Sequence, residues 1–182
     1  ILHSAGLNNV FVHAFTDGRD TDPKSGKAFI GDLQSHMKKT TGQLASIVGR
    51  YYAMDRDKRW ERVKEAYDLL VHGKGSRFDS ASAAISSSYQ NNVTDEFIKP
   101  CVISRESESA VNIRPGDAVV CFNFRTDRCR EITQALTQQN FPDHSMKAIP
   151  LHYVTMTRYD NTFRNVHVVY EKDNLSMTLG EV

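Results

Sequence analysis

Val10-Phe11-Val12-His13-Ala14-Phe15 running into Thr16-Asp17-Gly18-Arg19-Asp20 decides the fold. An apolar run of this length, stopped by a turn-forming Asp-Gly, reads as a short buried strand emptying into a loop. The pattern returns twice. Leu44-Ala45-Ser46-Ile47-Val48 runs into Gly49-Arg50-Tyr51-Tyr52-Ala53-Met54-Asp55-Arg56, and Ala118-Val119-Val120-Cys121-Phe122 runs into Asn123-Phe124-Arg125-Thr126-Asp127-Arg128. Each strand is followed by an Arg-bearing loop and then by a helical pattern. Strands alternating with helices predict an α/β domain, three layers deep (α/β/α), around a mostly parallel or mixed central sheet. In such sheets ligands collect outside the carboxyl ends of the strands. Three loops there bring Arg19, Arg50, Arg56, Arg125 and Arg128 together, with the carboxylate of Asp20 among them. Clustered guanidinium groups repel one another unless an anion holds them, and their fork matches carboxylate or phosphate oxygens two at a time. The residues predict a site for a small polyanion.

The bulk properties fit one domain. The chain has 182 residues, 40% of them hydrophobic and 25% charged, with a net charge of +1. That is long enough for a real core. It lacks the global basic field that nucleic-acid binders carry, so the arginines mark a site on a nearly neutral body. Cys101, Cys121 and Cys129 are odd in number and show neither metal nor redox spacing, which reads as reduced thiols in a cytoplasmic protein. Cys129, between two arginines at a helix start, is either a thiol of lowered pKa or a small buried residue. No apolar run approaches the ~20 residues of a membrane span, and no secretory signal is visible. Ile1 to Leu7 resembles the last turns of an amphipathic helix, so the expectation is a chain that starts inside a larger protein.

Periodicity places the remaining elements. Helices are predicted over Gly26 to Lys39, with Phe29, Ile30, Leu33 and Met37 on one side, and over Asp55 to His72, capped by Asp55 and ended by Gly73 and Gly75. A third follows over Ser80 to Tyr89 and a fourth over Arg130 to Gln139, with Ile132, Ala135 and Leu136 inward. Further strands are expected at Cys101 to Ser104, Ile149 to Met156 and Val166 to Tyr170. Arg125 and Arg128, three apart, fall on one side of a first helical turn, where free N–H groups attract anions. The seven histidines form no metal-ligand pattern, and His13 reads as a core residue. With neither a Gly-rich phosphate loop nor an activated serine, the chain offers an anion grip without machinery for breaking bonds.

His13 to Asp20, Gly49 to Arg62 and Phe122 to Arg128, in this order and spacing, resemble the 2,3-bisphosphoglycerate-independent phosphoglycerate mutases. Thr94-Asp95-Glu96-Phe97 and Thr178-Leu179-Gly180-Glu181 continue the resemblance. It implies an isomerase of glycolysis and gluconeogenesis that interconverts 3-phosphoglycerate and 2-phosphoglycerate through a phosphoserine. It also implies two domains. A metal-dependent phosphatase-like domain of the alkaline phosphatase superfamily carries the serine and two manganese ions. Into it is inserted a substrate-binding (phosphotransferase) domain, which residues 1–182 resemble. The serine and the manganese ligands then lie outside this chain, no cofactor is expected within it, and the fragment alone is expected to be inactive.

By the same resemblance Arg19, Asp20, Arg50, Arg56, Arg125 and Arg128 contact substrate. Asp20, the acceptor among them, is the expected catalytic acid or base toward the glycerate hydroxyls. Arg125 and Arg128 are assigned to phosphate, and Arg50 and Arg56 to the carboxylate. The expected partners are a phosphoglycerate and the missing domain of the same polypeptide. Nucleic acid and membrane are not expected, and the protein is expected to be a monomer. An insertion also requires Ile1 and Val182 to lie close together. The alternative reading of the same arginines is a non-catalytic anion-binding module for a nucleotide or an RNA backbone.

Overall fold

A computed structural model describes residues 1–105, 107 and 109–171. In chain order the elements are β1 (Phe11–Thr16), α1 (Gly26–Lys39), β2 (Gln43–Gly49), α2 (Arg50–Ala53), α3 (Trp60–His72), β3 (Ser76–Phe78), α4 (Ala81–Gln90), β4 (Cys101–Ile103), β5 (Ala118–Cys121), α5 (Arg130–Thr137), β6 (His152–Thr157) and β7 (Val166–Tyr170). The α/β class holds, but the strands divide between two sheets. One is mixed, in the order β1-β2-β4-β3, and the other is all parallel, in the order β5-β6-β7. The expected proximity of Ile1 and Val182 concerns a residue outside those described, as does Thr178 to Glu181.

The mixed sheet is covered on both faces. Ile30, Leu44, Ile47, Ala84, Ile85 and Ile98 pack under α1 and α4, while Val48, Val63, Tyr67, Leu70, Ile132 and Leu136 pack around α3 and α5 on the other side. Burial on both faces explains why β2 is buried at every position from Leu44 to Gly49, Ser46 included, rather than at alternate ones. The pairing of β1 with β2 slips by one residue at Ala45, so His13 lies opposite Ser46. This bulge re-phases the strand and lets Leu44 and Ile47, three apart, join the same core. The His13 imidazole hydrogen-bonds Ser46 Oγ at 2.7 Å, and burial lowers its pKa to about 4. It is a neutral core histidine.

Tyr153 on β6 joins the α3/α5 core from the parallel sheet, whose other face is uncovered among the described residues. Val120, Phe122, Phe124, Val169 and Tyr170 are exposed, with the Phe124 and Tyr170 rings stacked at 6.0 Å. Parallel sheets are ordinarily covered on both faces.

Several boundaries differ from the sequence reading, each for a local reason. The helix predicted from Asp55 begins at Trp60. Asp55 is buried, and its Oδ1 accepts the backbone N–H groups of Asp57 and Arg59, both at 3.0 Å, so it organises a loop instead of capping a helix. Arg56 and Arg59 therefore lie on that loop, and Arg50 opens the short α2 directly after β2. Arg125 and Arg128 precede α5 in a turn rather than sitting in its first turn. Phe29 is exposed, outside the buried stripe of Ile30 and Met37. β3, three residues long, is too short for periodicity to reveal. At the beginning of the chain, Ile1 to Leu7 forms a turn containing Gly6 at φ 72° rather than a helix.

Candidate anion site

Asp95 is the post on which the first two loops stand. It is fully buried, and its carboxylate accepts the Gly26 N–H at 2.7 Å and the Tyr89 hydroxyl at 2.6 Å. Its carbonyl accepts the Thr16 hydroxyl at 2.7 Å, fixing the end of β1. Gly18 and Gly49 press against the same segment. A Cβ on Gly18 would lie 2.6 Å from Asp95 Cβ, at a φ of 64° that favours glycine, and one on Gly49 would collide with the Glu96 carbonyl. Close approach of these backbones sets Arg50, the next residue, into a buried position.

Arg50 has a side chain only 3% exposed and donates from Nη1 to Asp17 Oδ1 at 2.5 Å and to Asp20 Oδ2 at 2.8 Å. Asp17 also accepts the N–H groups of Arg19 and Asp20, so one carboxylate closes the turn and anchors the arginine. Burial pushes the Asp17 carboxyl upward, but its hydrogen bonds to Arg50 and the backbone outweigh this and hold it below the usual range. The Arg50 hydrogen bond holds Asp20 low as well. Asp20 is therefore an ionised acceptor at neutral pH.

The third loop reaches this cluster from the other sheet. Arg125 Nη1 lies 3.5 Å from Asp20 Oδ2. Asp127 bridges back, accepting Arg56 Nη1 at 2.7 Å and Arg125 at 3.3 Å. Burial raises the Asp127 pKa, yet Arg56 and Arg125 overcome it and bring the group down to about 2. Arg19 stands at the margin, 63% exposed, with Glu96 at 3.4 Å.

Arg128 is different. Its hydrogen bond is a long one, from Nη1 to the Met54 carbonyl at 3.5 Å, and its buried Nε has no partner among the described residues. Burial lowers its pKa, and repulsion from Arg50, Arg56 and Arg125 lowers it further. Arg50 and Arg125 share Asp20, and Arg56 and Arg125 share Asp127, which places these guanidinium groups in one region.

The structure thus brings Asp20, Arg50, Arg56, Arg125 and Arg128 together, with Arg19 attached through Glu96. The surface is open rather than an enclosed cavity. Sequence reasoning missed the carboxylates that hold the arginines in place: Asp17, Glu96 and Asp127. Five guanidinium groups face four carboxylates (these three and Asp20), leaving one positive charge over. Asp127, set between Arg125 and Arg128, was the available signal. Cys129 is buried with a raised pKa, whereas the thiol with lowered pKa is Cys121. No helix among the described residues is long and apolar enough to cross a membrane.

The chain is 56% identical over 178 residues to the 2,3-bisphosphoglycerate-independent phosphoglycerate mutase of Flavobacterium psychrophilum, covering 97% of this chain and 35% of that protein. It is 55% identical to that of Parabacteroides distasonis over 182 residues, covering all of this chain and 36% of the relative. The chain therefore spans about a third of the length of these relatives. A crystal structure of Leishmania mexicana phosphoglycerate mutase at low cobalt concentration superposes with a TM-score of 0.79 at 32% identity, covering 87% of this chain and 31% of that one. Residues 1–161 match the family described as the BPG-independent PGAM N-terminus, and the chain belongs to that family.

Proposed function

We propose that this chain is the substrate-gripping domain of a phosphoglycerate mutase that interconverts 3-phosphoglycerate and 2-phosphoglycerate through a phosphoserine. The observation that carries the reading is Arg128: a partly buried guanidinium, repelled by three others, whose Nε has no hydrogen-bond partner among the described residues. An anionic ligand supplies what that group lacks. Arg128 and Arg125 are assigned to phosphate, and Arg50 and Arg56 to the carboxylate end. Arg19 stands at the rim. Asp20, ionised and 2.8 Å from Arg50, is assigned to the glycerate hydroxyls, where it accepts a proton as general base.

The grip has to retain a glycerate that has given up its phosphoryl group. Bidentate arginine contacts to the carboxylate serve that purpose. Closure of a second domain over the open surface excludes water and protects the phosphoseryl group from hydrolysis. The length of the relatives and the uncovered apolar face of the β5-β6-β7 sheet support a second region of the same polypeptide packing against this one. Among the described residues no group of three or more His, Cys, Asp or Glu side chains fits a metal ion. By family resemblance the two manganese ions of the proposal are assigned to the rest of the polypeptide, and no step here runs through them. The reaction places the protein in the cytoplasm.

The test is binding under salt. In the 182-residue chain, 3-phosphoglycerate should bind with a modest salt response, and single-stranded RNA should bind weakly with a steep one. RNA binding that is tighter than 3-phosphoglycerate binding overturns the reading in favour of a nucleic-acid module. The isolated chain should show no mutase activity, and turnover by pure chain free of host enzyme would contradict the assignment of the nucleophile elsewhere.

A further inference from the structure

Arg62, in the first turn of α3, is an arginine that the anion site does not use. Its guanidinium lies over the Tyr51 ring, 3.9 Å from the ring centre, and its Nη1 lies 3.6 Å from Asp55 Oδ2. Tyr51 follows Arg50, and Asp55 precedes Arg56. One side chain therefore touches both ends of the segment that separates two arginines of the site.

Each contact leads further in. Asp55 is buried, and its Oδ1 accepts the N–H groups of Asp57 and Arg59. The turn closed in this way has Arg56 at its centre. Asp55 Oδ2 is left facing Arg62 and Arg59, the latter at 3.5 Å. Arg59 has a nearer partner in Asp57, at 2.6 Å, and is the more exposed of the two, 45% against 26%. Arg62 is thus the sheltered counterion of the buried carboxylate. At the other end, the Tyr51 ring packs 5.2 Å from that of Phe97. Phe97 belongs to the same turn as Asp95 and Glu96, which supports the loop after β1. A planar guanidinium can stack on a ring and pair at its edge at the same time, whereas an ammonium is a point charge.

We propose that Arg62 and Tyr51 are positioning residues for Arg56. The stacked guanidinium holds the Asp55 turn, and the turn aims Arg56 at Asp127, which accepts it at 2.7 Å, and at the anion beyond. Arg56 itself is exposed, so its direction depends on where its backbone is held. The inference rests on the assignment of Arg56 to the substrate carboxylate.

The experiment is steady-state kinetics of the full-length enzyme with 3-phosphoglycerate. In Arg62→Met, which keeps the length of the side chain and loses its charge, KM should rise about tenfold with kcat within about twofold, because a binding contact is misplaced and the reacting end is not. Tyr51→Leu should behave like Arg62→Met, and Tyr51→Phe, which keeps the ring face, should behave like wild type. Added to Arg56→Ala, Arg62→Met should change KM by less than about twofold, because the group it positions is gone. A role in stability alone would lower kcat through loss of folded enzyme, leave KM in place and add to Arg56→Ala, and that result overturns the proposal. So does a KM raised by Arg56→Ala and untouched by Arg62→Met. If Arg56→Ala itself leaves KM unchanged, the carboxylate assignment fails first and takes this inference with it. Amide hydrogen exchange needs no substrate: the N–H groups of Asp57 and Arg59 should exchange faster in Arg62→Met than in wild type, and equal rates overturn the proposal whatever the ligand is.

Discussion

Arg50 and Arg128 carry the same charge a short way apart, but the molecule treats them oppositely. Arg50 is sunk beneath the loop after β1, with Asp17 at 2.5 Å and Asp20 at 2.8 Å. Arg128 comes from the loop after β5, has no carboxylate partner among the described residues, and is repelled by its neighbours. The first half of the site is assembled before any ligand arrives. In the proposed reading, the second half is completed by one. On the proposed function, such a grip would hold its substrate's position through the fixed half and respond to the substrate's charge through the other.

The largest effect expected from breaking this comparison is at Asp20, where the halves meet. In the full-length enzyme Asp20→Asn keeps the shape and one acceptor oxygen but removes the charge and basicity. Steady-state kinetics should show kcat lower by about 10²–10⁴-fold with KM little changed. A change confined to KM would leave Asp20 as a positioning residue.

Arg50→Ala probes the fixed half. It removes two charge-assisted hydrogen bonds and leaves Asp17 and Asp20 without their main partner. Because the carboxylates are partly exposed, the expected loss is about 1–3 kcal/mol of unfolding free energy by denaturant titration. Arg125→Ala, on the exposed loop, should fall within about 0.5 kcal/mol of wild type in the same assay. Equal losses would erase the distinction between the two halves.

The smallest effect is the pH response of the bridge between them. The folded pKa of Asp127, about 2, is below its ordinary 3.8. A carboxylate lowered on folding contributes stability above pH 3.8 that is lost as pH falls toward 2. Asp127→Asn should therefore shallow the acid limb of stability between these values, by less than about 1 kcal/mol for a pair this near the surface. An unchanged limb would show that the Arg56–Asp127–Arg125 bridge carries no weight.

The sequence made legible what depends on local pattern. The strand around Val12 to Phe15, the helix from Gly26 to Lys39, the helix end at Gly73 and the inward face of Ile132, Ala135 and Leu136 all follow from periodicity and turn chemistry. The approach of the Arg50 loop to the loop after β1 was inferable because β1 and β2 are parallel neighbours, whereas Arg125 and Arg128 arrive from β5 in the other sheet, which the expectation of one central sheet did not include. What stayed hidden depends on contacts between distant residues. The division into two sheets and the Asp95 post reaching Gly26 and Thr16 leave no periodic trace. Asp55 misled for a related reason: a helix cap and a loop-organising carboxylate look alike when both accept nearby N–H groups.

The most direct measurement is calorimetric titration of 3-phosphoglycerate into the full-length protein and its Arg128→Ala variant, with unfolding midpoints recorded alongside. If Arg128 is the guanidinium that the substrate completes, the variant should bind about 10–100-fold more weakly, the worth of a charged hydrogen bond. Its midpoint should be unchanged or slightly raised, because a repelled charge has been removed. Unaltered affinity, or a loss of stability large enough to explain the weaker binding, would contradict the account.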